Sequence, residues 1–376
     1  MVIADLENLE WKNSPKHMGN RLHSICSYMA MFPPSIPNYF IRKYSDPSDL
    51  VLDPFSGRGT TPLEACVLGR VGIGNDLNPL AYVLTASKVN VPSLDRILER
   101  IRELNRNYRE VENSIQLTED WKIRMLFNEY TLRQLSYLKN ELNWKCDPID
   151  TFITALVLGI MHGSSESYLS IKMPNTFSMA PNYVKNYISD HNLDKPKRDV
   201  FSLVIKKLFR CYQVVKIQGQ AYNCDARNLP KILDSTIKLI VTSPPYTQVI
   251  RYGDYNWIRL WFLGSNSDDV DKNLFCSASL EKYEKFISEA LQECWRVLKY
   301  DGICVLVIGD VKGRANGEVT NLAEIIWEKS ASRLGFSLLT PIIEDIINEN
   351  TKVSKIWGST RGNATIIDRV LILKKY

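Results

Sequence analysis

Apolar and polar positions divide the chain into three blocks. In the first, between residues 14 and 90, Leu50-Val51-Leu52-Asp53 has the pattern of a short buried strand. A glycine-rich turn follows it, then a helix-like stretch over 62–69, then a second strand pattern that ends at Asp76. This order predicts a β–turn–α–β unit.

Residues 91–216 have a different pattern, because apolar residues recur there at helical spacing among many Arg, Lys and Glu residues. The helical stretches cover 94–111, 121–142 and 152–162. We therefore predict a mainly helical insertion in this part of the chain.

Strand patterns return in the third block. They fall at 237–242, 302–308, 336–347 and 364–373, with helix-like stretches at 281–298 and 321–334 between them. With the first block, this alternation predicts an α/β domain, formed by 1–90 and 217–376, whose mostly parallel sheet carries helices on both faces. The last two strands have no helix of normal length between them, which predicts an antiparallel hairpin at the sheet edge.

The composition agrees with one domain that contains a sizeable insertion, since 45% of the 376 residues are hydrophobic. The longest apolar run, 153–161, is too short to cross a bilayer. The first residues are acidic and polar, unlike a signal peptide. We therefore expect a cytoplasmic protein without membrane contact.

Cysteine spacing and net charge narrow the chemistry only slightly. The eight cysteines form no CxxC pair and have no nearby His cluster, so we expect neither a metal site nor a disulfide framework. Lys and Arg number 47 against 42 Asp and Glu, giving a formal net charge of +5. This charge fits a polyanionic partner but is common among other proteins.

The first candidate site is the turn after the first strand, Asp53-Pro54-Phe55-Ser56-Gly57-Arg58-Gly59-Thr60-Thr61. Its glycines let the backbone turn sharply beside a ligand, and the next helix offers unpaired N–H groups. The turn lacks the lysine of a phosphate loop, and Pro62 replaces the third glycine of a dinucleotide fingerprint, so neither ATP nor NAD is indicated. The alternative is an ordinary strand-to-helix turn.

Asp76 ends the second strand 19 residues after Gly57. An acid at roughly 20 residues from such a turn can accept hydrogen bonds from both ribose hydroxyls. A simple capping role is the alternative.

The second candidate site, Thr242-Ser243-Pro244-Pro245-Tyr246, directly follows an apolar strand. Two prolines stiffen the backbone and remove two N–H donors, so nearby carbonyls are held in fixed directions. With the Ser243 hydroxyl and the Tyr246 ring, the segment can accept hydrogen bonds from an amino group and stack on a flat ring. A proline-terminated strand with a core tyrosine is the alternative.

Together, DPFxGxGTT and TSPPY resemble the motifs of the DNA amino-methyltransferases, which use S-adenosylmethionine to methylate cytosine at N4 or adenine at N6. The resemblance implies a seven-stranded Rossmann-like methyltransferase sheet. It implies that the first motif binds the methionine portion of the cofactor and that the second lines the catalytic pocket. The catalytic candidates are Ser243, Pro244, Pro245 and Tyr246. The cofactor candidates are Phe32, Pro33, Asp53, Pro54, Phe55, Gly57, Gly59, Thr60, Thr61, Asp76 and Asp225.

Three further resemblances concern residues outside the two motifs. Residues 32–37 resemble the family motif that folds over the methionine end of the cofactor. Asp225, 18 residues before Ser243, resembles the acid that meets the adenine ring, with an Asx turn as the alternative. His23 could line the same pocket, although a lone histidine is more often structural.

The motif order matches the family group whose target-recognition region lies between the two motifs, but the wording of the motifs is closer to a group with the reverse order. Residues 91–216 are therefore a candidate DNA-binding region whose role stays open. Within them, the polar stretch 162–168 either faces the substrate or is a helix-ending turn.

The resemblance also implies a mechanism. Hydrogen bonds from the amino protons to Ser243 and to the Pro244 carbonyl would aim the nitrogen lone pair at the sulfonium methyl group. Carbon-5 methylation would need a cysteine after a proline, and none of the eight cysteines follows one. We expect the base to flip out of double-stranded DNA and stack on Tyr246.

The remaining expectations concern the partner and the base. The candidate phosphate contacts are Lys195, Lys197, Arg198, Lys206, Lys207, Arg210, Lys352, Lys355 and Arg361. Serine rather than aspartate at 243 favours cytosine N4, with adenine N6 as the alternative. An RNA amino-methyltransferase and a non-catalytic DNA-binding subunit also stay open. One set of motifs per chain is compatible with a monomer, and a cognate restriction enzyme is an open partner.

Overall fold

Parallel strands form the centre of the molecule. The computed structural model describes residues 19–29, 32–175, 177–246, 251–312, 319–346 and 367–376. The strands are β1 (Leu50–Asp53), β2 (Val71–Asn75), β3 (Gln220–Tyr222), β4 (Ile237–Thr242), β5 (Leu298–Gly309), β6 (Val311–Lys312), β7 (Val319–Thr320), β8 (Phe336–Leu338), β9 (Ile343–Ile346) and β10 (Ile367–Lys375).

The main sheet has the order β3-β2-β1-β4-β5-β10, and both β8 and β9 pair with β10. Strands β1 to β5 are parallel, whereas β10 is antiparallel to β5, β8 and β9. Because β8 and β9 occupy successive parts of one edge, the eight strands fill seven positions. The fold class predicted from the sequence is confirmed, including its antiparallel edge.

The single strand predicted over 336–347 is two strands. Pro341 stands between β8 and β9, and a proline has no amide hydrogen to donate to the ladder. Of the predicted bounds, Ile347 and residues 364–366 lie outside the described residues.

Thirteen α-helices occur in the described part of the chain. They are α1 (Ser35–Tyr44), α2 (Thr60–Val67), α3 (Pro79–Val89), α4 (Leu94–Val111), α5 (Trp121–Arg124), α6 (Glu129–Glu141), α7 (Pro148–Ile160), α8 (Pro181–Asp190), α9 (Val200–Cys211), α10 (Trp257–Phe262), α11 (Ser267–Asn273), α12 (Leu280–Val297) and α13 (Leu322–Ile326). Short 3₁₀ turns cover Arg21–Ser24, Glu112–Ser114 and Asp254–Asn256, and a π turn covers Trp327–Ala331. None of these helices is long and apolar enough to cross a bilayer.

The sheet has an apolar core on each face, because successive strand residues point to opposite sides. Val51 packs with Phe40 of α1 on one face, whereas Leu52 packs with Leu291 of α12 on the other. This arrangement explains why the strands read as continuous apolar runs.

The helices between residues 94 and 211 pack directly on the first block. Leu156 of α7 lies in one apolar cluster with Leu63 of α2 and Leu84 of α3. A Cβ atom on Gly159 would lie 1.8 Å from the carbonyl oxygen of Ile25, so α7 touches the backbone there. The region between residues 94 and 211 is therefore mainly helical, and it shares an apolar core with the first block.

Some predicted bounds differ from the structure. The stretch 121–142 is two helices, since the Asn128 side chain accepts a hydrogen bond from the Tyr130 amide and begins α6 anew. Helix α3 was not predicted, because almost every one of its side chains is buried and no amphipathic period is visible. Strand β3 is too short for a pattern.

Candidate functional site

The two sequence motifs lie at the same edge of the sheet. They follow β1 and β4, which are neighbouring parallel strands with Leu52 opposite Ile240. The Thr242 hydroxyl donates to Asp53 Oδ1 over 2.6 Å. The last residue of β4 and the last residue of β1 are thus joined directly.

The glycine turn after β1 has the sharp geometry that its sequence requires. Gly57 and Gly59 have φ values of +50° and +79°, a region that favours glycine. A Cβ atom on Gly59 would lie 2.9 Å from the Cα atom of Thr85 in α3. The close approach of turn and helix therefore excludes any side chain at position 59.

Asp76 lies beside this turn, just after β2. Its Oδ2 accepts a hydrogen bond from the Gly57 amide over 2.8 Å, and its Oδ1 accepts one from the Asn78 amide over 2.9 Å. Burial raises the pKa of Asp76 to about 6, although both hydrogen bonds act in the opposite direction. The capping geometry considered for this residue is present, and each carboxylate oxygen keeps a second lone pair.

Asp53 is more deeply buried, with 3% of its surface exposed. Burial raises its pKa to about 7, against the hydrogen bonds that it accepts from Thr242 and from the Phe55 amide. Its contacts make Asp53 the link between the two motifs.

The Ser-Pro-Pro-Tyr segment forms the other side of this edge. Ser243 Oγ and the Tyr246 hydroxyl lie 3.0 Å apart. Pro244 is buried, and Ser243, Pro245 and Tyr246 are half-buried. Burial, followed by the carboxylate of Asp368, raises the pKa of Tyr246, so its hydroxyl is neutral and holds the serine in place.

The remaining residues of the first motif support the turn. The Pro54 carbonyl accepts a hydrogen bond from Asn75 Nδ2 over 3.2 Å, and the Phe55 ring lies 5.9 Å from that of Phe286. Thr60 and Thr61 are buried at the start of α2.

Asp225 lies close to the end of β2, but another residue holds its carboxylate. The Cys224 carbonyl accepts a hydrogen bond from Asn75, which fixes the segment there. Arg227 donates to both carboxylate oxygens of Asp225, and its amide completes an Asx turn. This pairing with Arg227 lowers the pKa of Asp225.

The upstream candidates contact α1 and α2, and one of them also contacts the glycine turn. Phe32 packs in the core under α1 with Ile36, and Pro33 is exposed, with its carbonyl accepting from the Ile36 amide. His23 pairs with Glu64 over 2.7 Å, and burial lowers its pKa. The His23 carbonyl also accepts a hydrogen bond from Arg58 of the glycine turn over 3.4 Å.

The structure corrects one candidate within the insertion, Lys207, and shows what three others contact. Lys207 is buried and donates to the Ser24 carbonyl over 2.6 Å, so it is not free to meet a phosphate. Lys195 donates to the Arg124 carbonyl, Lys197 lies over the Tyr130 ring and Arg198 pairs with Glu166. Lys206 and Arg210 are exposed, whereas Lys352, Lys355 and Arg361 lie outside the described residues.

The polar stretch 162–168 begins inside the protein. His162 is 2% exposed and its Nδ1 lies 3.0 Å from Ser170 Oγ. Burial lowers the pKa of His162 to about 3. Its side chain therefore faces the core, and only 164–166 are exposed.

Two tyrosines that belong to no recognised motif complete the site. Tyr28 accepts a hydrogen bond from Asn78 Nδ2 over 3.2 Å, and its ring stacks on that of Tyr252 at 5.9 Å. Tyr28 precedes the first motif and Tyr252 follows the second. In the sequence, only their aromatic side chains could have indicated that they belong to the site.

The sheet order and the two motifs define a Rossmann-like methyltransferase fold. Residues 6–88 match the family described as DNA methylase, which confirms the resemblance stated from the motifs. Over this stretch, which contains the glycine turn, the chain is similar to that family.

Individual relatives are distant. The chain is similar to the type II methyltransferase M.BsoBI of Geobacillus stearothermophilus, at 24% identity over 80% of this chain and 67% of that protein. It is also 24% identical to the type II methyltransferase M.MvaI of Kocuria varians, over 68% of this chain and 60% of that protein. Among solved structures, an S-adenosylmethionine-dependent methyltransferase of Methanosarcina mazei has 13% identity and a TM-score of 0.36, over 92% of this chain and 98% of that one.

Proposed function

We propose that this protein transfers a methyl group from S-adenosylmethionine to the N4 amino group of a flipped cytosine in DNA. The observation that carries the proposal is the hydrogen bond from Thr242 to Asp53, which joins the glycine turn to the Ser-Pro-Pro-Tyr segment. A cofactor on the turn and an amino group at Ser243 would be neighbours.

The residues beside β1 and β2 fit the cofactor chemically. Gly57 and Gly59, with φ values of +50° and +79°, give the turn the sharp backbone geometry of a nucleotide-binding loop beside Asp76. The free lone pairs of Asp76 would accept the ribose hydroxyls. Asp225 would meet the adenine end once Arg227 turns aside. When bound, the cofactor supplies an electrophilic methyl group.

Ser243 and Pro244 would prepare the amino nitrogen for attack. This nitrogen is a poor nucleophile because its lone pair is delocalised into the ring. Hydrogen bonds from the amino protons to Ser243 Oγ and to the Pro244 carbonyl would favour a tetrahedral nitrogen. The bond between Ser243 and Tyr246 fixes the serine for this task. The N-methylated cation then loses its extra proton to water.

The choice of base rests on Ser243, a neutral acceptor that resembles the cytosine-N4 members of the family. Adenine N6 is the second candidate, since the same geometry serves either amino group. The insertion would contact DNA, and the exposed candidate cations in it are Lys195, Lys197, Lys206 and Arg210.

The test is transfer of labelled methyl from S-adenosylmethionine to unmethylated bacterial DNA, with tRNA and rRNA assayed in parallel. Nucleoside mass spectrometry then identifies the product. N4-methylcytosine supports the proposal, and N6-methyladenine alone would change the base. Labelling of RNA but not of DNA would overturn the assignment of DNA as the substrate. A Ser243→Ala variant that keeps full activity would contradict the assigned mechanism.

A further inference from the structure

Tyr28 and Tyr252 form a stacked pair beside the glycine turn. Their ring planes are 20° apart. Tyr28 lies against the turn, since a Cβ atom on Gly57 would be 3.5 Å from its ring. The Tyr28 hydroxyl accepts a hydrogen bond from the Asn78 side chain, and the backbone N–H of Asn78 donates one to Asp76. The pair is therefore anchored to the candidate cofactor residues.

A buried arginine holds the two tyrosine-bearing segments together. Arg259 is 3% exposed and donates to the carbonyl and hydroxyl of Ser27, next to Tyr28. It also donates to Asn256 Oδ1 over 2.9 Å, and Asn256 Nδ2 donates to the Tyr252 carbonyl over 2.9 Å. The planar guanidinium thus fixes both segments at once, which a lysine cannot do.

Tyr252 interacts electrostatically with residues of both halves of the site. Burial raises its pKa to about 12, and the carboxylate of Asp76 adds to this shift. Tyr252 also contributes to the raised pKa of Tyr246, for which burial is the main cause. Tyr252 thus interacts electrostatically with both Asp76 and Tyr246.

Tyr252 has surface left for a ligand. It is half-buried, and among the described residues Tyr28 is the one ring that stacks on it. An aromatic face at this place suits a flat base, since such rings stack on bases of any sequence.

We propose that Tyr252 is a further residue of the reaction centre, where its ring stacks on the target base, and that Arg259 is the positioning residue that holds it. This inference rests on the proposed function. It assigns a second stacking surface in addition to Tyr246, contributed by the segment that follows the catalytic motif.

The test compares Tyr252→Leu, which keeps most of the volume, with Tyr252→Phe, which keeps the ring. Steady-state methylation of bacterial DNA gives kcat and KM, and calorimetry gives the Kd for S-adenosylmethionine. We expect Tyr252→Leu to lower kcat/KM for DNA roughly 10- to 100-fold, as expected for loss of base stacking. Tyr252→Phe should stay within about threefold, and the cofactor Kd should change by less than about threefold in both.

Arg259→Lys tests the positioning role. It should lower kcat/KM for DNA as Tyr252→Leu does, and the double variant should lose little more, because both changes remove one interaction. Tyr300→Leu, on a side chain that is 68% exposed, is the matched control and should leave the kinetics unchanged.

Three results would overturn the inference. One is a kcat/KM for DNA of Tyr252→Leu that stays within threefold of the value for an active wild type. Another is an equal loss in Tyr252→Phe and Tyr252→Leu, since the aromatic face would then be irrelevant. A wild type that binds S-adenosylmethionine but methylates no DNA would overturn the proposed function, and the inference with it.

Discussion

The Thr242 hydroxyl donates to Asp53 Oδ1 over 2.6 Å, between the last residues of two neighbouring parallel strands. Asp53 is buried, so the hydroxyl partly offsets the cost of its charge. This contact joins the glycine turn to the Ser-Pro-Pro-Tyr segment.

Thr242→Val should destabilise the protein by about 1–3 kcal/mol at pH 8, because a buried carboxylate loses a donor. Urea unfolding measures the change, and Thr242→Ser is the control that keeps the hydroxyl. At pH 5, below the pKa of about 7, Asp53 is protonated and the loss should be smaller. Equal losses at pH 5 and pH 8 would contradict a role for the charge.

Cofactor affinity should depend on the ionisation of Asp76. Ribose hydroxyls donate to the carboxylate form, so protonation below the pKa of about 6 removes the acceptor. Calorimetry should show a Kd for S-adenosylmethionine that is flat above pH 7 and weakens by roughly tenfold per pH unit below 6. Asp76→Asn should bind more weakly at pH 8 and lose most of this slope. If the Kd of Asp76→Asn kept the same pH dependence, the titrating group would be Asp53 and not Asp76.

Gly59→Ala should abolish detectable cofactor binding and destabilise the protein, because its Cβ would lie 2.9 Å from the Thr85 backbone. Gly69→Ala is the matched control. Gly69 has φ +81°, close to the +79° of Gly59, but a Cβ atom there meets nothing within 4 Å. The control should cost about 1 kcal/mol from backbone strain alone and keep cofactor binding. Similar binding defects in both would exclude the steric explanation.

His162 should make the protein sensitive to acid. Burial lowers its folded pKa to about 3, whereas the unfolded value is 6.5. The unfolded chain takes up a proton first, so this group withdraws about 1.4 kcal/mol of stability per pH unit as pH falls from 6.5 towards 3. His162→Asn, whose side-chain amide can donate to Ser170 Oγ in place of Nδ1, should lose less stability than the wild type between pH 7 and pH 5 in urea unfolding. If the free energy of unfolding fell equally with pH in the wild type and in His162→Asn, His162 would not be the source of the acid sensitivity.

The sequence predicted strands well where an apolar run was bounded on both sides. Ile237–Thr242 was predicted with its observed bounds, because prolines follow it directly. Helix α3 was missed, since burial on all sides leaves no periodic pattern. Pro341 divided a strand whose apolar residues continue past it.

Within the site, the motifs identified adjacent residues, but contacts between distant segments were not predictable. The bond from Thr242 to Asp53 depends on the register of β4 against β1. Tyr28 and Tyr252 meet only through folding. Lys207 was indistinguishable from its exposed neighbours, because charge alone does not show which face of a helix is buried.

The close contact between α7 and the segment around Ile25 limits which helical regions could replace the one in this protein. Gly159 and the Ile25 carbonyl approach so closely that any larger residue would push the two apart, and Arg259 also donates to the Leu158 carbonyl at the same place. A chimaera that exchanges the helical region with that of a relative would therefore need glycine at this position. Without glycine there, the exchange would displace the segment that carries Ile25 and Tyr28.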